Sequence, residues 1–524
     1  MAFFFNKFNP FAKQSNDQEA RLRADSHSER LSGLETPQEH LNRVIEAAGA
    51  TVVARSRWLY DNDPIYSSAV DEWVSATVGD GVKPSPRIQG FTKQTNRLND
   101  LWWQWCDKAD YRQNYDFYGI QEEVAREVFL TGECFIHLLM VPQDKIDSDQ
   151  STLTLDYVPL KLEVLACEML DVEYDCPAEK SGNYIRMGIE FNQKGHRVAY
   201  HFFKEHPYDE TGIFKLNFNS NERVRIPANH IIHIKEMRQS GQLRGIPRVT
   251  RVLTKIFNLD FYDEAELERK KTVALLAGFL VEPSHDTVSP FSDAAKKEKG
   301  ENHEKSIPNW KPGTITDVGA DRDIKFSNPA EVGGSYDAFQ YCNLLKICSA
   351  LGVPYSVVTG DVTRGNFSNV RTSIIQFRRR VGQWRANVLI FQLNRIVWER
   401  FVLLAQMANV INLPNFYENP TPWLQSESHA PPLEMIDPSK DMAANEMALR
   451  LGLTSRRKLL SEQGMDISDI DSQIASDREN EHRLGLDFSP HMLTAPTFSI
   501  SNNNEDDRKN KEQKKLENTG DKDD

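Results

Sequence analysis

The sequence predicts an α+β chain in which long helices flank a strand-rich middle and a second helical region is split by a polar insert. Three observations carry that expectation. Apolar residues recur at helical spacing over 41–120 and again over 374–410, the period at which one face of a helix is buried. Between them, 121–235 shifts to runs such as ECFIHLLMV and RMGIEFNQKGHRVAYHFF, whose β-branched and aromatic residues suit a pleated, half-buried surface. The length of 524 residues fits roughly three or four modules at about 150 residues each.

Taken in order, residues 11–40 are polar with few apolar anchors and read as an arm, so order is expected from about Leu41. Helical spacing then carries Trp58, Leu59, Val70, Trp73 and Val74 to the stop VGDGVKPSP at 78–86. In LNDLWWQWCDKADY, Leu98, Leu101, Trp102 and Trp105 fall on one helical face, and an aromatic stripe of that kind is core. A helix at 121–130 leads into the strands, with NQKG as the turn between two of them. His230 and His233 lie in a strand-like stretch with no acidic or cysteine cluster at ligand spacing, so metal binding is not expected there.

A long helix is expected over 247–276, opened by Pro247, a residue that suits a helix's first turn. Its acids precede its bases, with Glu266 and Lys270 placed as an i,i+4 pair. The polar insert 284–335 follows, with KKEKGENHEKS and the strand candidates GTITDVG and IKFSNP. Helix returns at 335–352, with Phe339, Leu344, Ile347 and Leu351 on one side. The strongest periodic signal comes next: Ile374, Phe377, Val381, Trp384, Val388 and Phe391 mark one buried stripe of a helix continuing to about Val410. Arg364, Arg371, Arg378 and Arg385 recur every seven residues, and the last three drift only about 20° per heptad along that helix, beside the stripe. In the last helical module, 438–484, Gly452 reads as a stop and Thr454 as a new N-cap. A mixed-charge tail closes the chain from 501.

Composition narrows the function. The chain is 39% hydrophobic and 27% charged, in the range of folded proteins. With 63 Lys+Arg against 76 Asp+Glu its formal charge is −13, so tight gripping of nucleic acid through a basic stripe is not its main business. The cysteines, Cys106, Cys134, Cys167, Cys176, Cys342 and Cys348, show no CxxC pair and read as small buried hydrophobes in a reducing compartment. MAFFFNKFNPF lacks the continuous apolar core of a signal peptide. The longest apolar run, VALLAGFLV at 273–281, is far below the roughly 18 residues of a membrane span. No cofactor, metal or membrane partner is expected.

The stretch VTGDVTRGNFSNVRTS at 358–373 raises the question of a phosphate loop, because two glycines precede a helix. It lacks the Gly-Lys-Ser/Thr that would place a lysine on phosphates and a hydroxyl on magnesium. G-x-S-x-G and H-E-x-x-H are absent from the sequence as well. An enzyme has no positive support, although a nucleotide-dependent DNA-processing enzyme is the alternative to be tested.

Several stretches together resemble the portal proteins of lambda-like tailed bacteriophages and prophages. They include NDPIYSSAVDEWVSATVGDGVKPSP at 62–86, LTGECFIHLL at 130–139, GIEFNQKGHRVAYHFFKEHP at 188–207 and IIHIKEMRQSGQLRGIPRVTRVL at 231–253. LDFYDEAELERKKTVALLAGFL at 259–280, LGVPYSVVTGDVTRGNFSNVRTS at 351–373 and RLGLTSRRKLLSEQGMD at 450–466 continue the series in the family's order.

What the resemblance implies is a ring, usually dodecameric, at one capsid vertex, whose axial channel passes double-stranded DNA during packaging and ejection. The implied parts are a flexible arm at 1–40, an α+β wing at 41–246, stem helices at 247–276 and 335–352 and a clip at 277–334. A tunnel loop at 353–370, a wing-spanning helix and connection at 371–430, a helical crown at 431–490 and a disordered tail at 491–524 complete it. The implied partners are other copies of the chain, the large terminase subunit, head–tail adaptor and completion proteins, and the major capsid protein with its scaffold. Thr359, Asp361, Thr363, Arg364, Asn366 and Asn369 are the expected tunnel-loop residues, with Ser368 capping the helix that follows. Arg371, Arg378 and Arg385 are expected at a subunit or channel edge. Twelve copies at −13 would carry about −156, and like-signed walls would let the duplex slide without being held.

Overall fold

The computed structural model describes residues 39–86, 88, 90–142, 157–178, 182–208, 222–275, 279–281, 323–325, 335–432 and 438–486. The arm, KKEKGENHEKS, GTITDVG and the terminal tail lie outside them.

The chain starts with α1 (Leu41–Asn62) and α2 (Pro64–Val78), joined at Asp63, whose carboxylate accepts from the Tyr66 N–H at 2.6 Å while Pro64 fills the first helical position. Gly79, at φ 56°, ends α2 at the expected stop. After the short β1 (Lys83–Pro86) come α3 (Thr92–Cys106) and α4 (Phe117–Thr131). Leu98, Leu101, Trp102 and Trp105 are all buried, as the aromatic stripe predicts. Trp102 packs edge-on against Phe117 and Phe401 at 5.2 and 5.0 Å between ring centres, the geometry that ring quadrupoles favour.

The strands then form two antiparallel sheets. In the first, β2 (Glu133–Met140) lies between β3 (Leu160–Leu165) and β8 (Ile231–Lys235), with Phe135 opposite both Leu165 and His233. The second runs β4 (Tyr184–Arg186), β5 (Ile189–Phe191), β6 (Arg197–Phe203) and β7 (Arg223–Pro227) in chain order, and Asn192–Gly195 makes the expected turn. Phe135, Tyr200 and Phe202 share a small core between the sheets, while α2, α3, α4 and the later helices share the larger one.

A buried charge cluster rivets the two sheets. Glu133 accepts from Arg244 Nε at 2.6 Å, from His233 Nε2 at 2.9 Å and from the Gly245 N–H at 2.7 Å. Arg244 also donates to the carbonyls of Cys167, Leu170 and Met187, so a guanidinium only 2% exposed has partners for four of its five N–H groups. The close approach needs glycine: a Cβ on Gly132, which sits at φ 89°, would lie 2.1 Å from the Ile246 backbone.

The helix expected from Pro247 starts later. Residues Arg248–Arg251 form a 3-10 turn, and α5 spans Leu253–Leu275. The tighter turn lets Arg248 fold back to pair with Glu236 and lie 3.8 Å over the Trp73 ring. Glu266 pairs with Lys270 at 3.9 Å as expected, and with Arg269 more closely, at 2.6 Å. After β9 (Phe279–Val281) and β10 (Asp323–Lys325), which pair antiparallel, α6 (Ser335–Leu351) returns beside α5. Ile347 and Leu351 are buried, but Phe339 is 48% exposed because it leans on Tyr262 of α5, 5.2 Å away, at the margin of the hairpin.

Next, α7 (Tyr355–Thr359) and a loop lead to α8 (Phe367–Trp384), a π-helical stretch at Arg385–Asn394 and α9 (Arg395–Met407). Phe377, Val381, Trp384 and Val388 are buried as expected, whereas Phe391 is 60% exposed. Wider π turns explain the correction: past Trp384 the buried series shifts by one residue, to Leu389, Leu393 and Val397. The chain ends in α10 (Thr421–Leu424), β11 (Ser426–His429) paired with β1, then α11 (Pro438–Arg450), α12 (Arg456–Glu462) and α13 (Ile467–Leu484). Gly452 turns at φ 68°, but Ser455 caps α12 in place of Thr454, its hydroxyl accepting from the Lys458 N–H. Four cysteines are buried, while Cys176 is half-buried and Cys342 exposed.

Candidate functional site

The loop after α7 is held by its own short-range chemistry. Gly360, at φ 69°, terminates α7 in the left-handed region. Thr359 donates its hydroxyl to the Tyr355 carbonyl at 2.8 Å and accepts from the Asp361 N–H. Asp361 then accepts from both the N–H and the hydroxyl of Thr363, at 2.9 and 2.6 Å, and from the Tyr355 hydroxyl at 3.2 Å. Those Thr363 contacts hold the Asp361 carboxyl below its ordinary range. The helix that follows is capped by Asn366, whose side chain accepts from the Asn369 N–H at 2.9 Å. This corrects the expected cap at Ser368, which already lies inside α8 and is exposed.

Arg364 does not project freely from the loop. It donates to Asp337 on α6, lies 4.6 Å over the Tyr341 ring and sits 3.8 Å from Asp361. The loop is thus tied to α6 by one cation on an acid and an aromatic face. Tyr341 and Tyr355 meet edge-on at 5.1 Å beneath it. Asp337, Tyr341 and Tyr355 were not among the expected site residues, and local sequence holds no signal for them, because the first two lie on a helix more than twenty positions upstream of Arg364.

The arginine repeat divides. Arg371 lies 3.5 Å from Asp441 of the same chain, and Arg378 is half-buried on α8. Arg385 departs furthest from the expected edge position: it is 7% exposed and donates to the carbonyls of Thr77 at 2.7 Å, Ala76 at 2.8 Å and Pro431 at 3.3 Å. The carbonyls at the end of α2 lack helical partners, and a buried guanidinium satisfies them. Arg385→Leu should therefore lower stability by about 1–3 kcal/mol, read as a fall in the urea midpoint at unchanged slope.

No group of three metal-ligating side chains occurs among the described residues, and no helix there is long and apolar enough to cross a membrane. In the loop and the first turns of α8, Asp361, Arg364, Asn366 and Arg371 are engaged in turns, a cap and ion pairs. The fold is mixed helix and sheet, with the loop braced between α6 and α8.

A family model described as phage portal protein, lambda family, matches residues 27–385. That match spans well over half of the chain, which therefore belongs to the lambda family of phage portal proteins. The family is a structural, non-enzymatic component of the capsid. A "Probable portal protein" of Halomonas phage phiHAP-1 is 24% identical over 334 residues, covering 62% of this chain and 61% of that relative. The match thus spans less than two thirds of the relative's length. Among solved structures, a chain from the virion of a native gene transfer agent particle is 14% identical with a TM-score of 0.41, covering 82% of this chain and 99% of that one. A chain from the neck of the native particle, computed with C12 symmetry, gives the same identity and TM-score over 81% and 98%.

Proposed function

We propose that this chain is the portal subunit of a tailed phage or prophage: a ring, dodecameric in this reading, at one capsid vertex, through which double-stranded DNA enters and leaves. The family match over residues 27–385 carries the proposal. In this reading α5 and α6 are the stem, the segment between them is the clip that docks the large terminase subunit and then the head–tail adaptor, and 431–490 is the crown. The ring assembles in the bacterial cytoplasm and is seated in the virion among the major capsid protein and scaffold.

The loop between α7 and α8 is the channel constriction in this proposal. Its rigid Asp361–Thr363 turn and the anchoring of Arg364 on α6 support that role, since a loop that meets a moving polyanion must not wrap it. An Arg364 already neutralised by Asp337 attracts phosphate weakly, in keeping with a net charge of −13 per chain. Negative-stain electron microscopy of the purified chain should show rings with a central hole. A stable monomer under every assembly condition would overturn the proposal, and nucleotide turnover abolished by Asp361→Ala would favour the enzymatic alternative.

A further inference from the structure

A cavity of about 950 Å³ lies between the end of β8, the 3-10 turn at Arg248–Arg251, the end of α6, α8 and the π-helical stretch. Arg238, Arg251 and Arg380 line it, and none of the three is within ion-pair distance of a carboxylate among the described residues. Arg238 donates to the Pro247 carbonyl at 2.7 Å and to Thr250, which satisfies donors without neutralising charge. Burial, and after it the neighbouring Arg251, pushes the Arg238 guanidinium down to about 10 against the opposing pull of Glu236, the carboxylate of the lining, which is paired with Arg248. Met237 and Phe391 at the margin are 55% and 60% exposed. The cavity therefore offers positive charge framed by uncovered apolar surface.

The complementary surface is on the same chain. On α5, Phe257 and Phe261 are 53% and 66% exposed, and helical spacing places Glu264 on their face with Asp260 at its edge. This face points away from α6, which α5 meets through Lys255, Tyr262 and Asp263. Asp260 and Glu264 have no basic partner among the described residues. Acid and aromatic on one flank of the hairpin, base and apolar margin on the other, make a pair of unlike surfaces. Unlike surfaces on one chain join copies head to tail, and such contacts close into rings when the rotation permits.

We infer that the arginine cavity receives the Phe257/Asp260/Phe261/Glu264 face of α5 from a neighbouring copy of this chain. The occupant is a second copy and not a nucleic acid, because the exposed Met237 and Phe391 beside the arginines match Phe257 and Phe261 and have no counterpart on a phosphate backbone. The inference rests on the ring reading and adds which flanks meet and with which sign.

A reciprocal charge swap in the full chain tests it. Asp260→Arg/Glu264→Arg has basic residues on both flanks, and Arg251→Glu/Arg380→Glu has acidic residues on both. Each alone should lose at least about tenfold in ring yield by analytical ultracentrifugation, because like charges then face each other. Mixed in equal amounts, the two should assemble together, since each supplies the flank the other lacks. Wild-type-like ring yield from either variant alone, or no recovery on mixing, overturns the contact while leaving the ring reading intact. Absence of rings from the unaltered chain overturns the ring reading itself. Should circular dichroism show that the cavity variant is unfolded, Phe257→Ser/Glu264→Lys, on the exposed flank, replaces it. Loss of rings from a chain that melts like wild type then supports the contact, and retained rings overturn it.

Discussion

Arg244→Leu should cost about 3–5 kcal/mol of unfolding free energy, the largest loss expected from any single change in this chain, because it strands Glu133 as a buried, unpaired carboxylate. Denaturant titration of the wild type and the variant measures it. The double change Glu133→Gln/Arg244→Leu should recover part of the loss, and a variant within about 1 kcal/mol of wild type would show the cluster to be dispensable. The same cluster sets the response to acid. Burial alone would raise the Glu133 carboxyl, but Arg244, His233 and the Gly245 N–H outweigh it and hold it down to about 2. Burial, then Lys235, pushes the His233 imidazole down to about 3. Both groups bind their protons more readily in the unfolded chain, so both contribute stability at neutral pH that is lost on acidification. The loss begins as pH falls through the ordinary histidine value of about 6.5, and Glu133 adds to it below about 4.5, each at roughly 1.4 kcal/mol per pH unit and proton. Arg244→Leu should blunt the Glu133 part of that slope.

Replacing Val362–Thr363–Arg364 with Gly-Ser-Gly should leave ring assembly at wild-type yield and sharply reduce the number of DNA-filled particles. Asn366 is spared, so the N-cap of α8 survives, whereas deletion of 360–367 would remove it together with the loop. Electron microscopy of rings and nuclease-protected DNA in particles give the two readouts. Failure of the rings would make the loop a structural part of the subunit contact, and full packaging would remove it from the channel.

The sequence made the aromatic stripe of α3 and the strands around NQKG legible because both signals are local and repeat at the period of the element that holds them. The buried series of α8 was legible only to Val388: extrapolating spacings of three and four assumes one helical geometry, and the π turns break it, which turned Phe391 outward. The heptad of arginines failed at Arg385 for a related reason, since its partners Ala76, Thr77 and Pro431 lie far off in the chain and contribute backbone oxygens, which have no residue identity to read. The anchoring of Arg364 on Asp337 and Tyr341 was equally hidden, because it joins two helices across a turn in space. Caps were misplaced at Ser368 and Thr454 where two competent residues stood side by side or nearly so. Pro247 misled in another way: it suits the first turn of either helix type, and the stacking of Arg248 on Trp73 selected the tighter one.

The clamp at Arg385 has a mechanical consequence. Beyond it, Val397, Trp398, Phe401 and Val402 are completely enclosed, while before it, among the described side chains of α8, only Phe377, Val381 and Trp384 are deeply covered. The long helix is therefore a beam fixed firmly at its C-terminal half, covered more lightly along the 18 residues, about 27 Å, that lead to the loop, and propped at that end by the pair of Arg364 with Asp337. A sideways push of given size on the loop exerts a torque at the clamp that grows with that length, and Arg385 holds the fulcrum. The residue that seemed set to face a neighbour governs instead how stiffly the tip is held.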